Sequence, residues 1–134
     1  MSLLVVKTSS LGDLIHTLPA ITDAARAQPG LAIDWLSERA FSEIPGWHPA
    51  VRRVIPCELR RWRKAPLATI RNGDWSRFRS ALRETRYDLV LDAQGLVKSA
   101  FLASRADGPS AGPDWHSARE PLASLFYDRR LPVP

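Results

Sequence analysis

The chain has 134 residues, of which 45% are apolar and 25% charged, and this balance excludes a disordered or fibrous protein. Sixteen Arg and three Lys outweigh 14 Asp and Glu, so the formal net charge is +5 and an anionic partner is favoured. The single Cys57 excludes an intrachain disulfide, and neither a signal peptide nor a run of roughly 18 apolar residues is present.

The chain begins with a strand–loop–helix unit. Apolar residues 3–6 predict a buried strand, a polar turn follows at residues 7–10, and helical spacing follows over residues 12–28. Gly12 is interpreted as a position for a tight turn or for close approach of a ligand. Asp13 stands at the helix start, where a carboxylate either faces a ligand crevice as a base or complements the helix dipole.

Further strands alternate with helices along the rest of the chain, which predicts an α/β fold with a parallel sheet. The other predicted strands are residues 32–36, 51–55 (near an edge) and 89–91. The other predicted helices are residues 38–44 (ended by Pro45 and Gly46), 75–86 (with Asp74 as N-cap), 96–105 and 117–127. Residues 59–73 show no clean period, residues 107–114 predict a turn or a short edge strand, and residues 129–134 are typical of a linker.

Residues 89–98 repeat the strand, polar loop and helix of the first unit. Carboxyl ends of parallel strands lie at the same edge of a sheet, so the side chains that follow the two strands are expected to converge there. The converging candidates are Asp13, Asp92, Gln94 and Lys98. The Asp92 loop has a second interpretation, in which it only supports the Asp13 loop.

Several common site types are absent from the sequence. No G-x-G-x-x-G, P-loop or G-x-S-x-G motif occurs, so a standard dinucleotide, P-loop or hydrolase site is not predicted. Three His and one distant Cys do not have zinc-ligand spacing. The sequence therefore predicts neither a metal nor a tightly bound cofactor.

Arginine is concentrated in residues 51–86, with ten Arg and one Lys against three acids. A cluster beside Trp62 comprises Arg60, Arg61, Arg63 and Lys64. This cluster is either a solvated face or a grip on phosphates of lipid, nucleotide or nucleic acid. Arg119 is a further cationic candidate.

Four strings of the chain, taken together, resemble one family in the same order. They are VKTSSLGD with HTLP (residues 6–13 and 16–19), IP with RRWRK (55–56 and 60–64), DAQGLVKS (92–99) and AREPLASLFY (118–127). These strings resemble the N-terminal half of the heptosyltransferase I family of lipopolysaccharide synthesis. That family consists of inverting glycosyltransferases of family 9 with the GT-B fold.

The resemblance implies a Rossmann-like acceptor-binding domain spanning residues 1–134, with helices on both faces of its sheet. It implies transfer of L-glycero-D-manno-heptose from ADP-heptose to the 3-deoxy-manno-octulosonic acid (Kdo) sugar of Kdo-lipid A, at the cytoplasmic face of the inner membrane. Asp13 matches the catalytic base. The acceptor-binding basic residues of the family match Arg60, Arg63 and Arg119, with Arg61 and Lys64 as neighbours. The loop that borders the reacting centre matches Lys7, Ser10 and Gly12. The remaining substrate-binding candidates, Asp92, Gln94 and Lys98, come from the expected convergence of the two loops.

The length of the chain departs from the family, because a GT-B enzyme needs two domains. We expect the donor-binding C-terminal domain, and with it ADP-heptose binding, to be absent from this chain, which is then inactive alone. Three alternatives stay open: a basic α/β module that binds nucleic acid, a related heptosyltransferase with another acceptor, and a folded but inert remnant. The resemblance itself implies no nucleic-acid partner and no metal.

Overall fold

The computed structural model describes residues 1–131, which form one six-stranded parallel sheet of order β3-β2-β1-β4-β5-β6. The strands are β1 (Ser2–Val6), β2 (Ala32–Glu38), β3 (Val51–Cys57), β4 (Leu89–Asp92), β5 (Ser110–Pro113) and β6 (Arg129–Leu131). The helices are α1 (Leu11–Ala27), α2 (Glu43–Gly46), α3 (Leu59–Lys64), α4 (Pro66–Arg71), α5 (Asp74–Arg83) and α6 (Val97–Arg105). Two 3-10 helices span Arg39–Phe41 and Pro121–Phe126. The predicted fold class is confirmed.

Successive residues of β1 pack into different cores, because side chains alternate across a strand. Leu4 and Val6 pack with residues of α5 and α6 on one face of the sheet. Leu3 and Val5 pack with α1 and α2 on the other face. The central strand is therefore buried on both sides, which explains its continuous apolar run.

The order of strands reverses between β1 and β4, which are both parallel neighbours in the sheet. In a doubly wound sheet, ligands bind in the crevice at the carboxyl ends of the strands beside this point. The loops at residues 7–10 and 93–96 flank this crevice. They are the two loops that the sequence predicts to converge.

The four predicted strands and the helices predicted at residues 12–28, 75–86 and 96–105 are confirmed to within a few residues, and several other predictions need correction. Helix α1 begins at Leu11, one residue before the predicted start, and β3 is an edge strand as predicted. The N-cap of α5 is Gly73, with φ of 82°, while Asp74 is the first helical residue. Pro45 and Gly46 are the last two residues of α2, so they belong to the helix and do not end it at residue 44.

The aperiodic, arginine-rich segment is also helical. It forms α3 and α4, and Trp62 anchors α3 by packing on Phe78 of α5 at 5.0 Å between ring centroids. Trp75 approaches Trp62 edge-on at 6.2 Å. Such tertiary contacts hold helices that are too short to be stable alone, so no periodicity predicts them.

The last segment also differs from prediction. Residues 117–127 form turns and a 3-10 helix, and β5 pairs with β4 and β6, so it is not an edge strand. Arg129–Leu131, predicted as linker, pairs with β5 as the edge strand β6, while residues 132–134 of that prediction lie outside the described residues. Among residues 1–131, no helix has both the length and the hydropathy needed to cross a membrane.

Candidate functional site

Side chains join the two crevice loops directly. The backbone N and Oγ1 of Thr8 donate to Oε1 of Gln94 at 2.8 and 2.6 Å, and Nε2 of Gln94 donates to Oγ of Ser9 at 3.2 Å. Lys7 Nζ donates to the carbonyl oxygen of Ala93 at 3.1 Å. Gln94 is buried, so its amide fixes the loop of Asp13 rather than facing solvent. The predicted convergence of the two loops is confirmed.

Asp13 lies in the first turn of α1 and is partly open to solvent. Its Oδ2 accepts hydrogen bonds from the backbone N of Ser10 at 3.2 Å and from Oγ of Ser10 at 3.4 Å. The Ser10 amide is the main reason why the pKa of Asp13 is lowered, and the charges of Lys7 and Arg119 act in the same direction. The structure thus holds Asp13 as an accessible carboxylate near two cations.

Asp92, in contrast, is 1% exposed. Its carboxylate accepts hydrogen bonds from Gln94 N at 2.9 Å, from Ser99 Oγ at 2.9 Å and from the hydroxyl of Tyr127. Burial raises the pKa of Asp92, although these donors act in the opposite direction. This geometry fits the supporting interpretation, and a contact between Asp92 and substrate stays a prediction that its burial disfavours.

A cavity of about 610 Å³ lies at the carboxyl edge of the sheet. It is lined by Ser9 after β1, Glu38 at the end of β2, and residues that follow β3 and β4. The cations of its lining are Arg60, Arg63, Lys64 and Lys98. Four cations against one acid make the cavity suited to an anionic ligand.

Three predicted cations lie outside this lining: Lys7, which contacts Ala93, and Arg61 and Arg119. Arg61 is engaged by Glu58 and Asp74, each at 2.9 Å, and lines only a smaller neighbouring cavity of about 300 Å³ with Arg60 and Lys64. Arg119 is exposed, and its backbone lies beside Gly95, where a Cβ on the glycine would stand 3.3 Å from the Arg119 nitrogen. The charge of Arg119 contributes to the lowered pKa of Asp13.

Gly12 is helical and exposed, and a Cβ built on it meets no atom within 4 Å among the described residues. The interpretation of Gly12 as a tight-turn glycine is therefore wrong, whereas close approach of a ligand there stays a prediction. Ser10 is exposed beside Gly12 as the N-cap residue of α1. The surface next to Asp13 is therefore accessible to solvent at both residues.

Two residues of the site were missed from the sequence. Glu38 Oε1 accepts a hydrogen bond from Leu59 N at 3.1 Å, so this acid holds the start of α3, and burial raises its pKa. Ser9 lines the cavity and contacts Gln94, although its sequence context marks it only as a turn residue. The signal for Glu38 was its place at the end of a buried strand, at the ligand-binding edge. Residues 1–131 contain no group of three or more His, Cys, Asp or Glu arranged to hold a metal ion.

Comparison with known proteins agrees with this geometry. The family model described as glycosyltransferase family 9 (heptosyltransferase) matches residues 75–134. Lipopolysaccharide heptosyltransferase 1 of Pseudomonas aeruginosa is 63% identical over 134 residues, which is 99% of this chain and 38% of that protein. The Escherichia coli K12 protein of the same name is 56% identical over 131 residues, 97% of this chain and 41% of its own length.

A solved structure extends the likeness to three dimensions. The E. coli heptosyltransferase WaaC with ADP-2-deoxy-2-fluoro heptose superposes with a TM-score of 0.96 and 54% identity, covering 100% of this chain and 43% of that one. The chain thus spans about two fifths of the length of the curated relatives it matches. Along nearly its whole length, this chain matches the N-terminal portion of the heptosyltransferases of glycosyltransferase family 9.

Proposed function

We propose that this chain supplies the acceptor site and the catalytic base of a lipopolysaccharide heptosyltransferase. In this proposal, L-glycero-D-manno-heptose passes from ADP-heptose to the Kdo sugar of Kdo-lipid A with inversion. Donor binding falls to a second domain outside residues 1–134, so the chain alone has no useful turnover. The protein works at the cytoplasmic face of the inner membrane.

The observation that carries the proposal is that the loop before Asp13 and the arginine cluster line the same cavity. Ser9, in the loop that leads to Asp13, lines the same cavity as Arg60 and Arg63, whereas Asp13 itself lies outside the lining. The loop therefore brings the carboxylate to the neighbourhood of the cavity, four residues beyond Ser9. Kdo carries a carboxylate and lipid A carries phosphates, which are the anions that guanidinium groups bind in bidentate geometry. Lys64 and Lys98 add two further positive charges to the same lining.

The reaction follows from this placement. A hydroxyl oxygen of Kdo forms a bond to the anomeric carbon of heptose while the bond from that carbon to the phosphate oxygen of ADP breaks. Asp13 accepts the hydroxyl proton, and ADP leaves with the electron pair of the broken bond. A carboxylate with a lowered pKa is a weak base, but the hydroxyl becomes acidic as it bonds to a cation-like carbon, so late proton transfer is sufficient.

Titration of the 134-residue chain with a Kdo-bearing lipid A analogue tests the acceptor site. We expect Arg60→Ala combined with Arg63→Ala to weaken binding by about 10- to 100-fold, because two charge-assisted hydrogen bonds are lost. Arg79→Ala is the matched control, since Arg79 is equally exposed but lies on α5 outside the cavity lining. Equal affinities of the double variant and the control would remove the acceptor site from this cavity.

A further inference from the structure

Helix α4 presents an apolar face to solvent at the outer side of the cationic cluster. The side chains of Leu67 and Ile70 are 67% and 62% exposed, and their i, i+3 spacing places them on one face. Thr69, on the opposite side of this short helix, is buried against the fold. The apolar pair therefore points away from the domain and contributes nothing to its core.

The charge around this apolar pair has one sign. Residues 59–73 contain five cations and no acid. Arg63, Lys64 and Arg71 are exposed and make no ion pair or side-chain hydrogen bond with any described residue. An apolar face flanked by unpaired cations is typical of helices that lie in the interface of an anionic bilayer.

Contacts between α3 and α5 support the segment that leads into α4. Trp62 packs on Phe78 at 5.0 Å, and Arg61 joins the ion pair with Asp74 at 2.9 Å, so α3 is held against α5 from two directions. Only Ala65 separates α3 from α4. The apolar pair therefore lies close in the chain to Arg63 and Lys64, which line the cavity.

We propose that Leu67 and Ile70 insert among the lipids of an anionic membrane surface while Arg71 and the neighbouring cations contact the headgroups. Membrane docking would bring the cavity to the surface at which the sugar of a lipid-anchored acceptor lies, and this role rests on the proposed function. The choice of a membrane over a protein partner follows from the uniform charge. An anionic bilayer offers phosphates to the cations and an apolar layer to Leu67 and Ile70 at the same time.

Vesicle flotation with the 134-residue chain tests the insertion. The probes are vesicles of phosphatidylcholine alone and of phosphatidylcholine mixed with phosphatidylglycerol. We expect binding to the mixed vesicles only, and Leu67→Gln combined with Ile70→Gln should weaken it at least about tenfold at unchanged net charge. Arg71→Gln should weaken it about fivefold, because one cation near an anionic surface is lost.

Two matched controls distinguish insertion of α4 from nonspecific binding of vesicles by other exposed apolar or cationic side chains. Leu122 and Leu125 have the same spacing and are 58% and 62% exposed, so their double Gln variant should bind within about twofold of the parent. Arg79→Gln removes an exposed cation from another helix and should lose less than Arg71→Gln. Circular dichroism confirms that each variant is folded.

Three results would overturn the inference. They are parent-like flotation of the Leu67 and Ile70 double variant, an equal loss in the Leu122 and Leu125 variant, and binding to an arbitrary DNA duplex without binding to vesicles. Affinity for a water-soluble Kdo fragment is measured in parallel. That affinity should be unchanged in the α4 double variant, so failure of membrane docking and failure of the acceptor site give different results.

Discussion

Asp13 and Asp92 both follow a buried, parallel strand, and these strands are neighbours in the sheet. Asp92 ends its strand, points inward and is surrounded by protein donors, whereas Asp13 lies in the first helical turn and is partly open to solvent. Burial raises the pKa of Asp92, while the Ser10 amide lowers that of Asp13. A few residues of displacement along a loop thus separate a carboxylate that is accessible to a ligand from one that is enclosed by protein donors.

The largest effect is expected when Asp13, the accessible acid of this pair, is replaced. Asp13→Asn should lower kcat about 10²- to 10⁴-fold with little change in acceptor KM, because it removes the proton acceptor and not the cationic cavity. The assay uses a chimera of residues 1–134 with the C-terminal portion of the P. aeruginosa relative.

Asp23→Asn is the control for that variant, since Asp23 is an exposed acid on the same helix. It should leave kcat within about twofold. An Asp13→Asn chimera that keeps more than about a tenth of the parental turnover would contradict the assignment of the base.

The second test addresses the buried acid. Asp92→Asn should lower the free energy of unfolding by about 2–3 kcal/mol in urea titration, because an amide nitrogen cannot accept hydrogen bonds from Ser99 and Tyr127. Tyr127→Phe removes one of these donors and should cost about 1 kcal/mol. Unchanged stability together with weaker acceptor binding would show instead that Asp92 contacts the substrate.

The third test cuts the link between the loops. Gln94→Leu leaves the amide and hydroxyl of buried Thr8 without their acceptor and should cost about 1–2 kcal/mol of unfolding free energy. If Gln94 acts through Thr8, a double-mutant cycle with Thr8→Val should show coupling above about 0.5 kcal/mol. Additive losses would mean that the two loops are held by other contacts.

The smallest expected effects are the contributions of Asp92 and Asp13 to folding stability, which change with pH in opposite directions. Because the folded pKa of Asp92 lies above the ordinary 3.8, its ionisation destabilises the fold as pH rises from 3.8 through that raised value. Because the folded pKa of Asp13 lies below 3.8, its stabilising contribution is present above 3.8 and is lost as pH falls through the lowered value.

Urea titrations of the parent and of each Asn variant across this acidic range measure the two contributions. The stability difference between the parent and Asp92→Asn should fall with rising pH, and that between the parent and Asp13→Asn should rise. Slopes of the same sign would refute the contrast.

The sequence predicted the central strands and α1 because their patterns are local. Residues 3–6 and 89–91 are apolar runs bounded by polar turns, and the apolar residues of α1 recur at helical spacing. The parallel sheet follows from their alternation with helices, and so does the meeting of the two loops. None of these steps required knowledge of contacts between residues that are distant in the sequence.

The missed features depend on contacts between distant residues. Strand β6 contains two arginines and forms only through pairing with β5. Helix α3 depends on Trp62 reaching Phe78, and Glu38 enters the site because it accepts a hydrogen bond from Leu59. The orientation of Arg61 toward Asp74 likewise could not be read from the RRWRK string, because it depends on a contact with α5.

The position of Trp62 has a practical consequence. Its indole ring lies between two arginines in sequence, packs on Phe78 and meets Trp75 edge-on, so small shifts of α3 change its surroundings. We therefore expect intrinsic tryptophan emission to change when the cavity is occupied. Because the chain has five Trp, the difference in emission between the parent and a Trp62→Phe variant would isolate the Trp62 component of that signal.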